Sequence, residues 1–152
     1  MIQRIQSVYL FISAILGVVC LCRPLGYFSS ADGVRLSDFY NLCFRATDTG
    51  AHTFTPMALF VLLLIATTLT ILAIFLYNRR ALQMRVAVFC MILLVGYYAY
   101  LGFLVYMAHA DGCAYTPSVT AAFPFVCIVL DYLAFRGILK DELKIRSLDR
   151  LR

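Results

Sequence analysis

Two uninterrupted apolar runs, Pro56–Tyr77 and Val86–Met107, constrain most strongly what this chain can fold into. Neither run contains a charged side chain. An α-helix needs about 20 apolar residues to cross a bilayer, and both runs are long enough to predict transmembrane helices. The stretch between them, Asn78–Arg85, carries three arginines and no acidic residue. Short basic loops stay in the cytoplasm, so this hairpin predicts the orientation of the chain.

The composition agrees with a membrane environment. The chain has 152 residues, of which 63% are hydrophobic and only 14% are charged, whereas about a quarter of a soluble domain is charged. The formal charge is +5, but the basic residues cluster where membrane topology puts them. We therefore interpret the charge as a positive-inside bias and predict no nucleic-acid partner.

Two further apolar segments complete the predicted fold. The first span covers residues 7–28, with Leu25–Phe28 extending the helix past Pro24, and it is retained because no small-x-small cleavage site follows it. The fourth covers residues 117–135, and a helical cytoplasmic tail covers residues 136–152. The sequence thus predicts an all-α membrane protein, a single four-helix bundle over residues 1–152 with both termini cytoplasmic.

The connections carry turn and cap signals. The long polar loop before Pro56 contains Asp32-Gly33, a two-residue turn that predicts a small extracytoplasmic β-hairpin. Thr55-Pro56 and Thr116-Pro117 each predict an N-cap followed by proline in the first helical position. Pro124 lies inside the fourth predicted span, so we expect a kink there.

Small residues predict two close-packed helix faces. Ser13 and Gly17 form a small-xxx-small pair in the first span. Gly96, Ala99 and Gly102 recur at every third position of the third span. Both patterns favour close approach of neighbouring helices.

Asp131 is the only acidic residue inside a predicted span. It precedes Arg136 by five residues, or about 7 Å along a helix, which predicts a position near the cytoplasmic interface. One hypothesis is a proton or cation site. The alternative is a structural ion pair with one of the basic residues expected at the same depth, namely Arg4, Arg79, Arg80 and Arg85.

The cysteines raise three hypotheses. Cys43 and Cys113 fall in the two outer loops, where an oxidising compartment allows a disulfide between them. A four-span thiol oxidase coupled to quinone would need a Cys-x-x-Cys pair, whereas this chain has Cys20-Leu21-Cys22. A zinc site on the outer face would use Cys43, His52, His109 and Cys113.

The two ends of the chain resemble a known family. The segments that carry the resemblance are Met1–Leu10, Lys140–Glu142 and Arg146–Arg152. They are similar to an uncharacterised family of small membrane proteins from Bacteroidota, domain-of-unknown-function family 4293. The resemblance implies four helices and a bacterial inner membrane, and it brings no activity, cofactor or catalytic residue. It directs attention to the cytoplasmic ends.

We therefore expect an inner-membrane protein without enzymatic activity or cofactor, acting as a structural or accessory subunit. Its expected partners are the lipid bilayer and another membrane or cytoplasmic protein. The cytoplasmic surface for that protein would combine the two ends with the hairpin arginines, namely Gln3, Arg4, Arg79, Arg80, Arg85, Asp149 and Arg150. The alternatives are a quinone-linked thiol-disulfide oxidoreductase and a proton- or cation-coupled transporter using Asp131.

Overall fold

Four long helices form the body of the protein. The structure, a computed structural model, describes residues 3–30, 33–47, 50–76 and 79–149. The helices are α1 (Gln3–Cys22), α2 (Met57–Phe75), α3 (Arg80–Ala110) and α4 (Phe123–Asp149). Each of the four is long and apolar enough to cross a membrane. α1 packs against α2 and α4, and α3 packs against the same two helices. The four helices therefore form a closed bundle in which consecutive helices touch and α4 returns to α1.

The bundle exposes large apolar side chains and buries many small or polar ones. Only about 28–33% of each candidate span is buried within the protein. Inward-facing positions include Ser13, Ala66, Thr70, Ala73, Ala87, Cys90 and Ala134. Outward-facing positions include Phe11, Ile15, Leu72, Phe89, Ile92 and Phe125. An apolar surface of this extent needs an apolar solvent, so the four helices suggest a multi-pass membrane protein.

Three helix boundaries differ from the sequence prediction. α1 ends at Cys22, and residues 26–29 form a strand instead of extending the first helix. Pro24 explains the early end, because the residue before a proline is disfavoured in the α conformation. α3 begins at Arg80, so most of the predicted hairpin linker is helical. α4 runs without a break into the predicted tail, which is helical to Asp149.

The predicted caps and the predicted kink are wrong. Pro56 occupies the N-cap of α2 and no side chain bonds there. Residues 114–117 form a strand, and a 3-10 helix (Val119–Ala122) precedes α4. Pro124 is therefore the second residue of α4. In the first turn of a helix its missing N–H has no partner to lose.

A five-stranded antiparallel sheet covers one end of the bundle. Its strands are β1 (Gly26–Ser29), β2 (Arg35–Phe39), β3 (Phe44–Ala46), β4 (His52–Thr53) and β5 (Ala114–Pro117). Their order is β4-β3-β2-β1-β5. The predicted hairpin is confirmed as β1–β2, with Gly33 at φ +76° in its turn. Asp32 lies outside the described residues.

A buried hydrogen-bond chain ties the sheet to the bundle. The Asn41 Nδ2 atom donates to the Cys20 carbonyl over 2.7 Å, and this carbonyl is one of the last four of α1, which have no partner within the helix. The Tyr97 hydroxyl on α3 donates to Asn41 Oδ1, also at 2.7 Å. All three residues are fully buried. The loop after β2 thus closes the end of α1.

Leu25 joins the two loops that build the sheet. Its N–H donates to the Phe39 carbonyl, and its own carbonyl accepts from the Ser118 N–H and from the Tyr115 hydroxyl at 3.1 Å. Burial raises the pKa of Tyr115 to about 12, so the hydroxyl stays a neutral donor at physiological pH. The 23–56 connection and the 111–118 connection are therefore held as one layer.

One of the two predicted small-residue faces is confirmed and the other is wrong. A methyl group added at Gly17 would come within 2.6 Å of the Thr67 hydroxyl oxygen on α2, so α1 and α2 approach closely there. A methyl group at Gly96 or Gly102 would meet nothing within 4 Å. These two glycines lie on an outer face of α3.

Replacing Tyr97 by Phe tests the link between sheet and bundle. The change leaves a buried Asn41 oxygen without its donor, which costs about 1–3 kcal/mol. We expect a matching loss in the free energy of unfolding in detergent. Tyr106→Phe is the control, because the Tyr106 side chain is exposed on the same helix. Equal effects of the two changes would contradict the role of the hydrogen-bond chain.

Candidate functional site

Asp131 on α4 is a fully buried acid in the interior of the bundle. Neither carboxylate oxygen makes a hydrogen bond within the described part of the chain. Ser13 on α1 lies beside the carboxylate, although the pair does not meet hydrogen-bond geometry. A buried ionised group without partners is costly, so this position differs from ordinary packing.

Each of the four helices contributes a buried small polar side chain to the interior around Asp131. Cys90 on α3 and Cys127 on α4 are both buried there. The Cys127 thiol bonds to the Ser13 carbonyl over 3.4 Å, and the Thr70 hydroxyl on α2 lies 3.7 Å from the Cys90 sulfur. The acid thus faces a buried polar centre made by α1, α2, α3 and α4.

The depth predicted for Asp131 relative to the cytoplasmic interface stays a prediction. Within the bundle, its neighbour Ser13 lies at the middle of α1 (Gln3–Cys22). Arg136 does not mark a helix end, because α4 continues as one helix past that residue.

The predicted ion pair is not present among the described side chains. Asp131 makes no contact with a cation there, and Arg79 and Arg85 are exposed. The side chains of Arg4 and Arg80 lie outside the described set. Such a carboxylate can be stabilised by a proton, by a small cation or by a donor group of a bound molecule.

The neighbours of Asp131 were missed at the sequence level. Ser13 was assigned to close packing, and Cys90 and Cys127 entered none of the three cysteine hypotheses. Their shared feature is a small polar group at an inward position of a different helix. No spacing within one helix reveals that, because the side chains meet only through the packing of the bundle.

The outer cysteines do not form the predicted disulfide. All six cysteines are free thiols, and Cys43 and Cys113 are both partly buried. The Cys43 sulfur lies 3.7 Å from Nδ1 of His52, across the β3–β4 connection. Of the alternative pair, Cys20 is buried and Cys22 is exposed. The thiol oxidoreductase hypothesis stays a prediction.

The four zinc candidates do not assemble into a set. Among the described residues, no three His, Cys, Asp or Glu side chains lie close enough to hold a metal ion. Cys43 and His52 are in contact, whereas His109 lies in the last turn of α3 and Cys113 in the connection after it.

The predicted cytoplasmic surface lies largely outside what the structure describes. Nothing is described for Arg150 or for the side chains of Gln3, Arg4, Arg80 and Asp149. Near this predicted surface, the Gln6 Nε2 atom donates a hydrogen bond to Asp141 Oδ2 over 2.7 Å. This bond joins the first turns of α1 to the later part of α4.

A comparison with models of known protein families identifies a family for this chain. The model of a family described as Domain of unknown function (DUF4293) matches residues 2–151. No curated protein matches the chain.

Neutral replacements of Asp131 distinguish a lone acid from a structural ion pair. We expect Asp131→Asn and Asp131→Val to leave the free energy of unfolding unchanged or to raise it by up to about 4 kcal/mol, as for replacement of buried charges by packed neutral groups. Denaturant unfolding in detergent micelles measures this.

The control is Asp111→Asn, the same chemical change at an exposed acid after α3, for which we expect almost no effect. A loss of about 3–5 kcal/mol on changing Asp131 would instead show that the acid has a buried basic partner.

Proposed function

The chain belongs to the DUF4293 family, and on that premise we propose that it is a multi-pass protein that binds a proton or a small cation at Asp131. The observation that carries the proposal is the full burial of this carboxylate without a hydrogen-bond partner in the described residues. Ionisable groups inside spanning helices mark ion pathways and proton relays more often than they mark packing.

The composition of the site suits this role. Ser13 and Thr70 carry hydroxyl oxygens, and hard cations prefer oxygen ligands. The Thr70 hydroxyl already donates to the Ala66 carbonyl over 3.0 Å, so its lone pairs face outward from that bond. Asp131 has no exposed surface. Loading therefore requires movement of the helices or entry of water, which is the behaviour of a coupled transport site.

The proposed location is a bacterial inner membrane with both chain ends in the cytoplasm. Ten of the thirteen basic residues then fall on the cytoplasmic side, in agreement with the positive-inside rule. The three others, Arg23, Arg35 and Arg45, belong to the first long connection. Arg35 is paired with Asp38 at 2.6 Å. The sheet would lie on the outer surface.

A second proposal is a non-enzymatic accessory subunit. The Gln6–Asp141 hydrogen bond favours it, because it joins the two segments that lead to the chain ends. A methyl group at Gly137 would come within 2.9 Å of Gln6 Cγ, so the two helices also approach closely there. The ends would then present one surface to a partner protein.

Ion flux through proteoliposomes tests the proposed site. With a pH-sensitive dye inside and an imposed membrane potential, or with an imposed sodium or potassium gradient, we expect the wild type to move protons or the cation. Asp131→Asn should reduce the rate at least about tenfold, because the site then carries no ionisable group. Asp111→Asn is the matched control and should keep the rate.

Flux that survives in Asp131→Asn would reject the site. If the folded wild type shows no flux under any of the gradients, the transport proposal is wrong and the accessory subunit becomes the leading one.

Thiol labelling tests the proposed orientation. Cys22 is exposed near the sheet, and Arg79 is exposed at the opposite end of the bundle. In a variant with Cys43→Ser and Cys113→Ser, an impermeant maleimide should label Cys22 in intact spheroplasts. In a variant that also has Cys22→Ser and Arg79→Cys, it should label the protein only after permeabilisation. The reverse labelling pattern would show that the protein has the opposite orientation.

The buried thiols of Cys20, Cys90 and Cys127 serve as an internal control. They should stay unlabelled in both experiments.

A further inference from the structure

A groove between α3 and α4 combines apolar walls with one basic side chain. It has a volume of about 510 Å³, within the range of small-molecule sites. Its lining includes Met84, Arg85, Val88, Phe89 and Ile92 from α3 and Phe135 from α4. The α3 residues are spaced by three and four positions, so they form one face of the helix.

Arg85 is the charged residue of this lining, and it is exposed. Within the described residues, no carboxylate forms an ion pair with it; the ion pair found there joins Arg35 and Asp38, at the other end of the bundle. Arg79, Arg136 and Lys140 are also exposed towards the same end of the bundle. Four exposed basic side chains therefore lie at this end of the bundle.

A second groove provides a comparison within the same protein. It has about 500 Å³ and lies between α1 and α2, with Phe11, Ile15, Val18, Ile71 and Phe75 among its residues. Its lining contains no polar residue. Both grooves are suited to apolar chains, but only the one at Arg85 also offers a cation.

We propose that the α3–α4 groove binds an anionic phospholipid, with the Arg85 guanidinium on the phosphate and an acyl chain along Phe89, Ile92 and Phe135. The proposal requires insertion in a membrane but does not depend on the role of Asp131.

The chemistry of the groove favours a lipid over a protein helix. A guanidinium binds phosphate through two parallel hydrogen bonds. Basic pockets between spanning helices on the cytoplasmic side recognise anionic headgroups. An amphipathic lipid satisfies both parts of the groove, because its charged head meets Arg85 and its tail meets the apolar wall below.

Native mass spectrometry of the purified full chain tests the proposal. The protein in detergent is incubated with an equimolar mixture of phosphatidylglycerol and phosphatidylcholine that have the same acyl chains. We expect the wild type to retain phosphatidylglycerol preferentially. Arg85→Gln should reduce that preference about fivefold, since one basic residue near anionic headgroups contributes about that factor.

Arg45→Gln is the matched control, because Arg45 is an exposed arginine on the sheet at the other end, and it should keep the wild-type preference. Phe89→Ala should lower retention of both lipids in proportion, whereas Phe11→Ala, in the uncharged groove, should leave the preference unchanged. Thermal unfolding confirms that each variant is folded.

Three results would overturn the proposal. The first is equal retention of the two lipids by the wild type. The second is the same loss of preference in Arg45→Gln as in Arg85→Gln, which would indicate a general effect of charge. The third is a bound second copy of the chain that excludes lipid from the groove.

Discussion

The polar backbone groups at the helix ends place the strongest constraint on this structure. Where these groups are buried, no water can satisfy them, so each one needs a partner within the protein. The sheet supplies those partners at one end of the bundle. Asn41 bonds to the Cys20 carbonyl near the end of α1, and Leu25 uses both of its backbone groups in bonds to residues of other segments. These bonds hold the described parts of the two connections against the helix ends.

The same constraint acts on the side chains inside the helices. The hydroxyls of Thr67 and Thr70 bond back to carbonyls four residues earlier. The Tyr98 hydroxyl donates to the Ala121 carbonyl and accepts the Phe125 N–H, which otherwise has no partner in the first turn of α4. Asp131 differs from these residues, because both of its oxygens are buried without a hydrogen bond to a described residue. That contrast is the reason to place a function there.

Hydropathy identified the four spans but not where the helices end. It detects the change from apolar to charged residues, whereas a helix ends where its hydrogen bonds stop. Arg80 and Arg85 are polar, yet they continue α3; Leu25–Phe28 are apolar, yet they follow Pro24 into a strand. The Asp32-Gly33 turn was predictable, because its signal is local. The fifth strand was not, since its pairing with β1 joins residues 85 or more positions apart, as in Ser29 with Ala114.

Small residues recur on both α1 and α3, but only Gly17 on α1 lies in a close helix contact, whereas Gly102 on α3 does not. The sequence shows the pattern on each helix but not which face turns inward, because that rotation depends on the neighbouring helices. The candidate site was predictable to a similar extent. Asp131 was identified as a lone acid in an apolar span, but its neighbours on the other helices follow from packing.

Packing also decides how the charges are used. The sequence allowed Asp131 and Arg85 to neutralise each other, since both were expected near the same end of the bundle. In the structure Asp131 faces the interior, whereas Arg85 faces outward into a groove. Among the described residues, this separation leaves the buried acid without a cation and the exposed base without an anion. Unpaired charges are costly in an apolar setting. A partner from outside the chain lowers both costs, and the two proposals, a proton or cation at Asp131 and an anionic headgroup at Arg85, follow from that separation.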